Sequence, residues 1–318
     1  MPRPKVIVTS VVRSAHKGES HGGVYLLDLE SGARDLVVDW AEVDIDWAGR
    51  GLDRGLRGIA FYDGRSYIAA SNEVLVFDRE FNVVERISNP YLRHCHEIHI
   101  DADTLWITST GFDSLLEFDL LKRRFRRGIC LRHARFRRLK RRFSPAALPS
   151  ILRFDPSSRG GPEAADTTHV NNVLAREGVV YCSGTGMGCG LRIDGDRISR
   201  YARLPLGTHN AQPYRDGVLM HCTRLDAVRY AALDGGVIEE WELPAYSEEQ
   251  LLNNDLPDDY ARQKFGRGLC LTTAGEIVAG SSPATVSVFE HGSPTSTMSL
   301  NLSMDVRNAV HGLELYPF

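Results

Sequence analysis

His311-Gly312-Leu313-Glu314-Leu315, near the end of the 318-residue chain, decides how the rest is read. The same design opens Arg57-Gly58-Ile59-Ala60-Phe61, His96-Glu97-Ile98-His99-Ile100, His169-Val170-Asn171-Asn172-Val173, His209-Asn210-Ala211-Gln212-Pro213 and Arg267-Gly268-Leu269-Cys270-Leu271. Each begins with His or Arg and usually continues with a small or polar residue. Most then alternate as a β-strand does.

Each of these stretches except the C-terminal one is followed by three more strand-like runs. The second runs align as VIVTS, SYIAAS, LWITST, VVYCSGT, VLMHCT and EIVAGSS. The third runs align as GGVYLLDL, NEVLVFD, SLLEFDL, GCGLRID, AVRYAAL and TVSVFEH. Self-similarity at about 40 residues marks a propeller. The segment 6–40 supplies three strands and lacks the first, which 311–315 can provide. Joining the two ends closes the ring and protects its edges. The expected fold is therefore all-β: a six-bladed β-propeller spanning 1–318 as one domain, with its C-terminal strand completing the N-terminal blade. Two insertions interrupt it, a basic inter-blade one at 122–168 and another at 244–266. A seventh blade within 122–166 is disfavoured, because that segment shows no alternating apolar strand.

Strand direction sorts the loops. In an antiparallel meander, the loops between second and third strands and the crossovers between blades share a face with the starts of the first strands. The long irregular stretches 13–22, 41–56, 88–95, 122–168 and 244–266 all fall on that face. Tight turns such as Tyr62-Asp63-Gly64 and Arg215-Asp216-Gly217 fall on the other. Function is expected on the elaborated face.

Hydrophobic content of 42% with 25% charged residues suits an ordinary globular chain, and a net charge of −3 implies no partner by itself. The charge is uneven, however. Residues 122–142 hold twelve Lys or Arg and no acid, leaving −15 for the remainder. An acidic partner, a phosphate-rich partner or an anionic surface would satisfy this segment, and so would pairing with the chain's own acids, which is preferred. No nucleic-acid-binding module accompanies it, so no nucleic-acid partner is expected. No apolar run of about 18 residues exists, so no transmembrane segment is expected. The N-terminal apolar run is too short for a signal peptide. The six Cys have no CxxC pair or framework spacing and are read as buried reduced thiols, so a cytoplasmic location is expected.

The first residues of the six repeats would gather His96, His169, His209, His311, Arg57 and Arg267 at one mouth of the channel. Converging neutral imidazoles suit Fe, Zn, Mn or Cu, and three nitrogens plus an open position would make a catalytic metal. The two guanidiniums would hold a carboxylate, sulfate or phosphate. Glu97 is the candidate base or partner of a ligand, and Glu97 and Glu314 would offset the positive charge. His99 and His221 are weaker acid–base candidates, and His16 and His21 belong to a loop that would form part of a lid. Gly184-x-Gly186-x-Gly188-x-Gly190 imitates a nucleotide loop, but a strand follows it rather than the helix a dinucleotide fingerprint requires.

The units resemble the six-bladed propellers of the NHL and SMP-30/gluconolactonase type. The starts His169-x-Asn171, Thr208-His209-Asn210 and Arg267-Gly268-Leu269 are more similar to a bacterial propeller family described only as a domain of unknown function. The SMP-30 resemblance implies a divalent cation on axial Glu, Asn and Asp, for which this chain offers Glu97, Asn171 and Asn210. Four-His iron sites of larger propeller oxygenases share ligand type only. The expected function is a metal-dependent enzyme acting on a small anionic molecule at the axial His site, whether hydrolase, lyase or oxygenase. The alternative is a non-catalytic propeller that binds an anionic ligand or a protein partner at the same mouth.

Overall fold

The computed structural model describes residues 3–16, 18–41, 55–132, 149–257 and 261–318. Strands β1 (Lys5–Val12), β2 (Gly23–Asp28) and β3 (Arg34–Asp39) form the N-terminal meander. The second blade is β4 (Ile59–Tyr62), β5 (Arg65–Ala70), β6 (Glu73–Phe77) and β7 (Val83–Ser88). The third is β8 (Ile98–Asp101), β9 (Thr104–Ser109), β10 (Ser114–Asp119) and β11 (Arg124–Arg132), followed by β12 (Ser150–Phe154). The fourth is β13 (Val170–Arg176), β14 (Val179–Gly184), β15 (Cys189–Asp194) and β16 (Arg197–Arg203). The fifth is β17 (Thr208–Tyr214), β18 (Gly217–Cys222), β19 (Ala227–Ala232) and β20 (Val237–Glu242). The sixth is β21 (Leu269–Leu271), β22 (Ile277–Ser281), β23 (Thr285–Phe289) and β24 (Met298–Asn301). Finally β25 (Asn308–Leu315) returns to pair with β1, making a sheet ordered β25-β1-β2-β3. This is a six-bladed β-propeller closed as expected, with antiparallel neighbours throughout.

The apolar residues pack between blades. The six core clusters each draw on two adjacent blades, one for every interface of the ring. Burial on both faces of strands such as β1 and β22 accounts for their near-continuous apolar runs. All six Cys are buried and unpaired within these layers.

One expectation needs correction. Blade three has five strands, because β12 adds to β11 with Cys130 opposite Leu152. Four of its five residues are exposed, so no inside–outside alternation marked it in the sequence.

The glycine that follows Arg57 and His311 has a packing cause. A Cβ on Gly312 would lie 2.3 Å from the Arg57 carbonyl oxygen, and one on Gly58 would lie 2.2 Å from the Glu97 carboxyl. Successive inner strands thus approach backbone to backbone near the axis, where only hydrogen fits. Thr9 stitches the closure: its Oγ1 donates to the Arg57 carbonyl at 2.6 Å and accepts from Gly312 N–H at 2.8 Å.

Candidate functional site

The starts of the inner strands are irregular, and this turns their side chains toward the mouth. Pairing shifts between Val170 and Asn172 on β13, between His209 and Gln212 on β17, and between Val8 and Ser10 opposite β25. Bulges of this kind re-aim a side chain. His169 has φ +50°, while Asn210 and Gly268, each one place past its own blade's His or Arg, have φ +49° and +74°.

The structure brings the His and Arg side chains together. The rings of His96 and His169 are 5.0 Å apart, and those of His96 and His311 are 5.4 Å apart. Arg267 Nη1 donates to His311 Nε2. Arg57 is buried and donates to the Cys95 carbonyl at 3.0 Å. His209 stands beside Phe265, ring to ring 6.0 Å, and Arg267 lies over the same Phe265 ring at 4.9 Å.

Hydrogen-bond partners assign the tautomers. His96 Nδ1 contacts the His94 carbonyl at 2.9 Å and Thr110 Oγ1 at 2.8 Å, while the Thr110 hydroxyl donates to the Val170 carbonyl. Nδ1 of His96 therefore carries the proton. His209 Nδ1 faces the Gly207 carbonyl at 3.2 Å, and His169 Nδ1 faces the Asp166 carboxylate at 2.9 Å, so both donate as well. The distal Nε2 of each of these three rings is left as an acceptor. His311 is reversed: its Nε2 accepts from Arg267, so Nδ1 bears the proton.

Burial drives the proton affinities of His96, His209 and His311 well below the usual histidine range, and positive neighbours deepen the effect. For His96 these are Arg57, His169 and Arg267. For His209 Arg267 leads, and for His311 Arg267 and then Arg57. The three rings are uncharged at neutral pH.

Glu97 does not join this group. Its carboxyl accepts from Asn210 Nδ2 at 2.9 Å and faces an axial cavity of about 30 Å³ shared with His99, Asn172 and Glu314. Burial raises Glu97 well above the ordinary carboxyl range, with the nearby Glu314 adding to it, and burial pushes Glu314 up to about 8. Glu314 is therefore mostly neutral at pH 7 and offsets little of the charge at the mouth, and Glu97 is shifted in the same direction. His99 Nδ1 accepts from Ala175 N–H, and His221 Nε2 donates to the Gly268 carbonyl. Burial lowers both to about 4, and both act as inter-blade struts.

Sequence reasoning missed Asp166, Asp113, Phe265 and Arg13. Buried Asp113 accepts from the backbone N–H and hydroxyl of Thr167 and Thr168 at 2.7–3.0 Å, which pins the loop carrying Asp166 and His169. The Asp166-x-x-His169 spacing was visible, but nothing in the sequence linked Asp113 to it. Arg13 stacks on Phe265 at 4.3 Å, joining the 13–22 loop to the 244–266 insertion over the mouth.

Of the oxygen set implied by the SMP-30 resemblance, Glu97 and Asn210 are engaged with each other, while Asn171 Oδ1 is buried without a hydrogen-bond partner among the described residues. Asn210 Oδ1 is taken by Gly268 N–H, and its amide nitrogen by Glu97. Asn171 turns its amide nitrogen to the Thr208 carbonyl. Among the described residues, no three His, Cys, Asp or Glu are grouped to hold a metal ion. In the basic segment, Arg123 pairs with Glu85, Arg126 with Asp119 and Arg127 with Glu117. Residues 133–142 of that segment lie outside the described residues. No helix among the described residues is long and apolar enough to cross a membrane.

No family model and no curated protein matches the chain. Solved structures do. A protein of unknown function from Bacteroides caccae aligns over 98% of both chains with TM-score 0.58 at 9% identity. The WD40 β-propeller domain of Doa1 aligns over 95% of this chain and 80% of its own, with TM-score 0.50 at 10% identity. A streptogramin B lyase aligns over 76% and 70%, with TM-score 0.41 at 10% identity. At these identities the first two likenesses carry the propeller fold, and nothing of an NHL or SMP-30 relation.

Proposed function

We propose that the channel mouth binds a small oxyanion, and that His169, backed by Asp166, exchanges a proton with it. The observation that carries the reading is the sign of the local field: the guanidiniums of Arg57 and Arg267 act on His96 and His311, and that of Arg267 acts on His209. A buried positive field of this kind favours an anion. Among the four imidazoles, His169 is the one with solvent access, its side chain 17% exposed, and among the described residues it has the Asp166 carboxylate behind it. That pairing holds the tautomer with Nε2 free to accept a proton.

The test is calorimetric titration with phosphate and acetate. Binding by the wild type, weakened about tenfold or more in Arg267→Gln, supports the reading. Absence of any oxyanion binding, or equal affinity in the variant, overturns it.

A second reading keeps the metal. It is favoured by three imidazoles whose Nδ1–H groups are anchored on oxygen, the arrangement that orients metal-binding histidines. Against it stand the two guanidiniums, which repel a dication in a buried site. Elemental analysis of untagged protein decides: stoichiometric Fe, Zn, Mn or Cu, lost in His169→Ala/His209→Ala, would restore the metal-dependent enzyme.

A further inference from the structure

The four imidazoles offer hydrogen bonds of opposite polarity, and this narrows what can sit among them. His209 is 4% exposed, and its Nε2, an acceptor, is buried with no hydrogen-bond partner among the described residues. His311 is 6% exposed, and its Nδ1–H, a donor, is likewise buried without a partner. The Nε2 acceptors of His96 and His169 belong to the same group. Burying a polar group without a partner costs roughly 1–3 kcal/mol, so a ligand that satisfies these groups is selected over one that does not.

A bare oxyanion satisfies the donors alone. Acetate or sulfate at neutral pH presents lone pairs to Arg267 and to His311 Nδ1–H, and sets further lone pairs against the acceptors of His96, His169 and His209. Resting on the oxyanion reading above, we propose that the mouth selects an oxyanion carrying its own O–H beside the charge, such as a 2-hydroxycarboxylate or a hydrogen phosphate. The anionic oxygens take the guanidinium and the His311 donor. The hydroxyl donates to an imidazole Nε2, with His209 Nε2 as the acceptor most in need. Neighbouring Nε2 atoms explain why one donor beside the charge matters more than added negative charge. A site built to hydrogen-bond a hydroxyl rejects the analogue lacking it, because its own polar group then stays unpaired.

Two matched pairs of probes isolate the donor. Glycolate differs from acetate by one hydroxyl, and phosphate at pH 6, mostly in its dihydrogen form, differs from sulfate by its protons. Titration calorimetry of the wild-type protein is expected to show glycolate binding about tenfold tighter than acetate, and phosphate about tenfold tighter than sulfate. His209→Phe, which keeps a ring but removes the acceptor, is expected to bring glycolate to the affinity of acetate. If all four anions bind the wild type alike, selection by the donor is overturned while the oxyanion site stands. If none binds, both fall. If glycolate keeps its advantage in a folded His209→Phe protein, the assignment of His209 as the acceptor is overturned.

Discussion

Arg267 Nη1 donates to His311 Nε2, so a permanently charged guanidinium is bonded to an uncharged imidazole at the mouth of the channel. The bond forces the His311 proton onto Nδ1. Burial first, then Arg267 and Arg57, keeps the ring from taking a second proton. Long-range ¹⁵N–¹H correlation spectra should therefore show His311 as the Nδ1–H tautomer at neutral pH and above. Arg267→Gln should raise its proton affinity, visible as titration at higher pH.

The same burial sets a pH dependence of stability. His96, His209 and His311 hold protons less tightly in the fold than in the unfolded chain, so their contribution is lost as pH falls below about 6.5. Glu314 has the opposite sign. Its carboxyl is raised from 4.5 to about 8, so its contribution is lost as pH rises between those values. Above about pH 6.5 the histidine effect is complete and the Glu314 effect continues. Urea melts should find the wild type less stable at pH 8 than at pH 6.5, and Glu314→Gln should flatten that decline.

Gly312→Ala tests the close approach of the inner strands. Its Cβ would meet the Arg57 carbonyl at 2.3 Å and Thr9 Oγ1 at 2.7 Å, neither of which can move freely. A loss of about 1–3 kcal/mol is expected by chemical denaturation. Gly275→Ala has no neighbour near its added methyl, but its φ of +86° adds backbone strain, so its smaller loss separates conformation from crowding.

Asp113→Ala should loosen the loop that carries His169. It strips the acceptor from two N–H and two O–H donors of Thr167 and Thr168. The expected cost is at least about 3 kcal/mol, with faster amide exchange at 166–169.

Asp166→Ala should separate stability from function. The Asp166–His169 pair is partly exposed, 34% and 17%, so its removal should cost under about 1 kcal/mol in a thermal or urea melt. Under the proposed role for His169, the variant should nonetheless change the pH profile of glycolate binding. An unchanged profile would remove Asp166 from that role.

Much of this architecture was legible because propeller physics repeats itself along the chain. Six inner strands must each start at the same mouth, cross a crowded axis and pair outward, so a His or Arg recurs at the inner segment of each blade. Strand β12 escaped because its exposed residues carry no alternation. Glu97 was placed with the imidazoles because it follows His96 directly, yet it turns to the cavity it shares with Glu314.

By itself, then, the sequence determined the blade number and the closure of β1 by β25. Periodic burial is a local property that strands record residue by residue. Only the tertiary structure decided which imidazole nitrogen holds the proton, that Asp113 and Asp166 stand behind His169, and that Arg267 reaches His311. Those outcomes depend on hydrogen bonds between residues distant in the chain, such as Asp113 with Thr168 and Arg267 with His311, and on a burial that no single strand can specify.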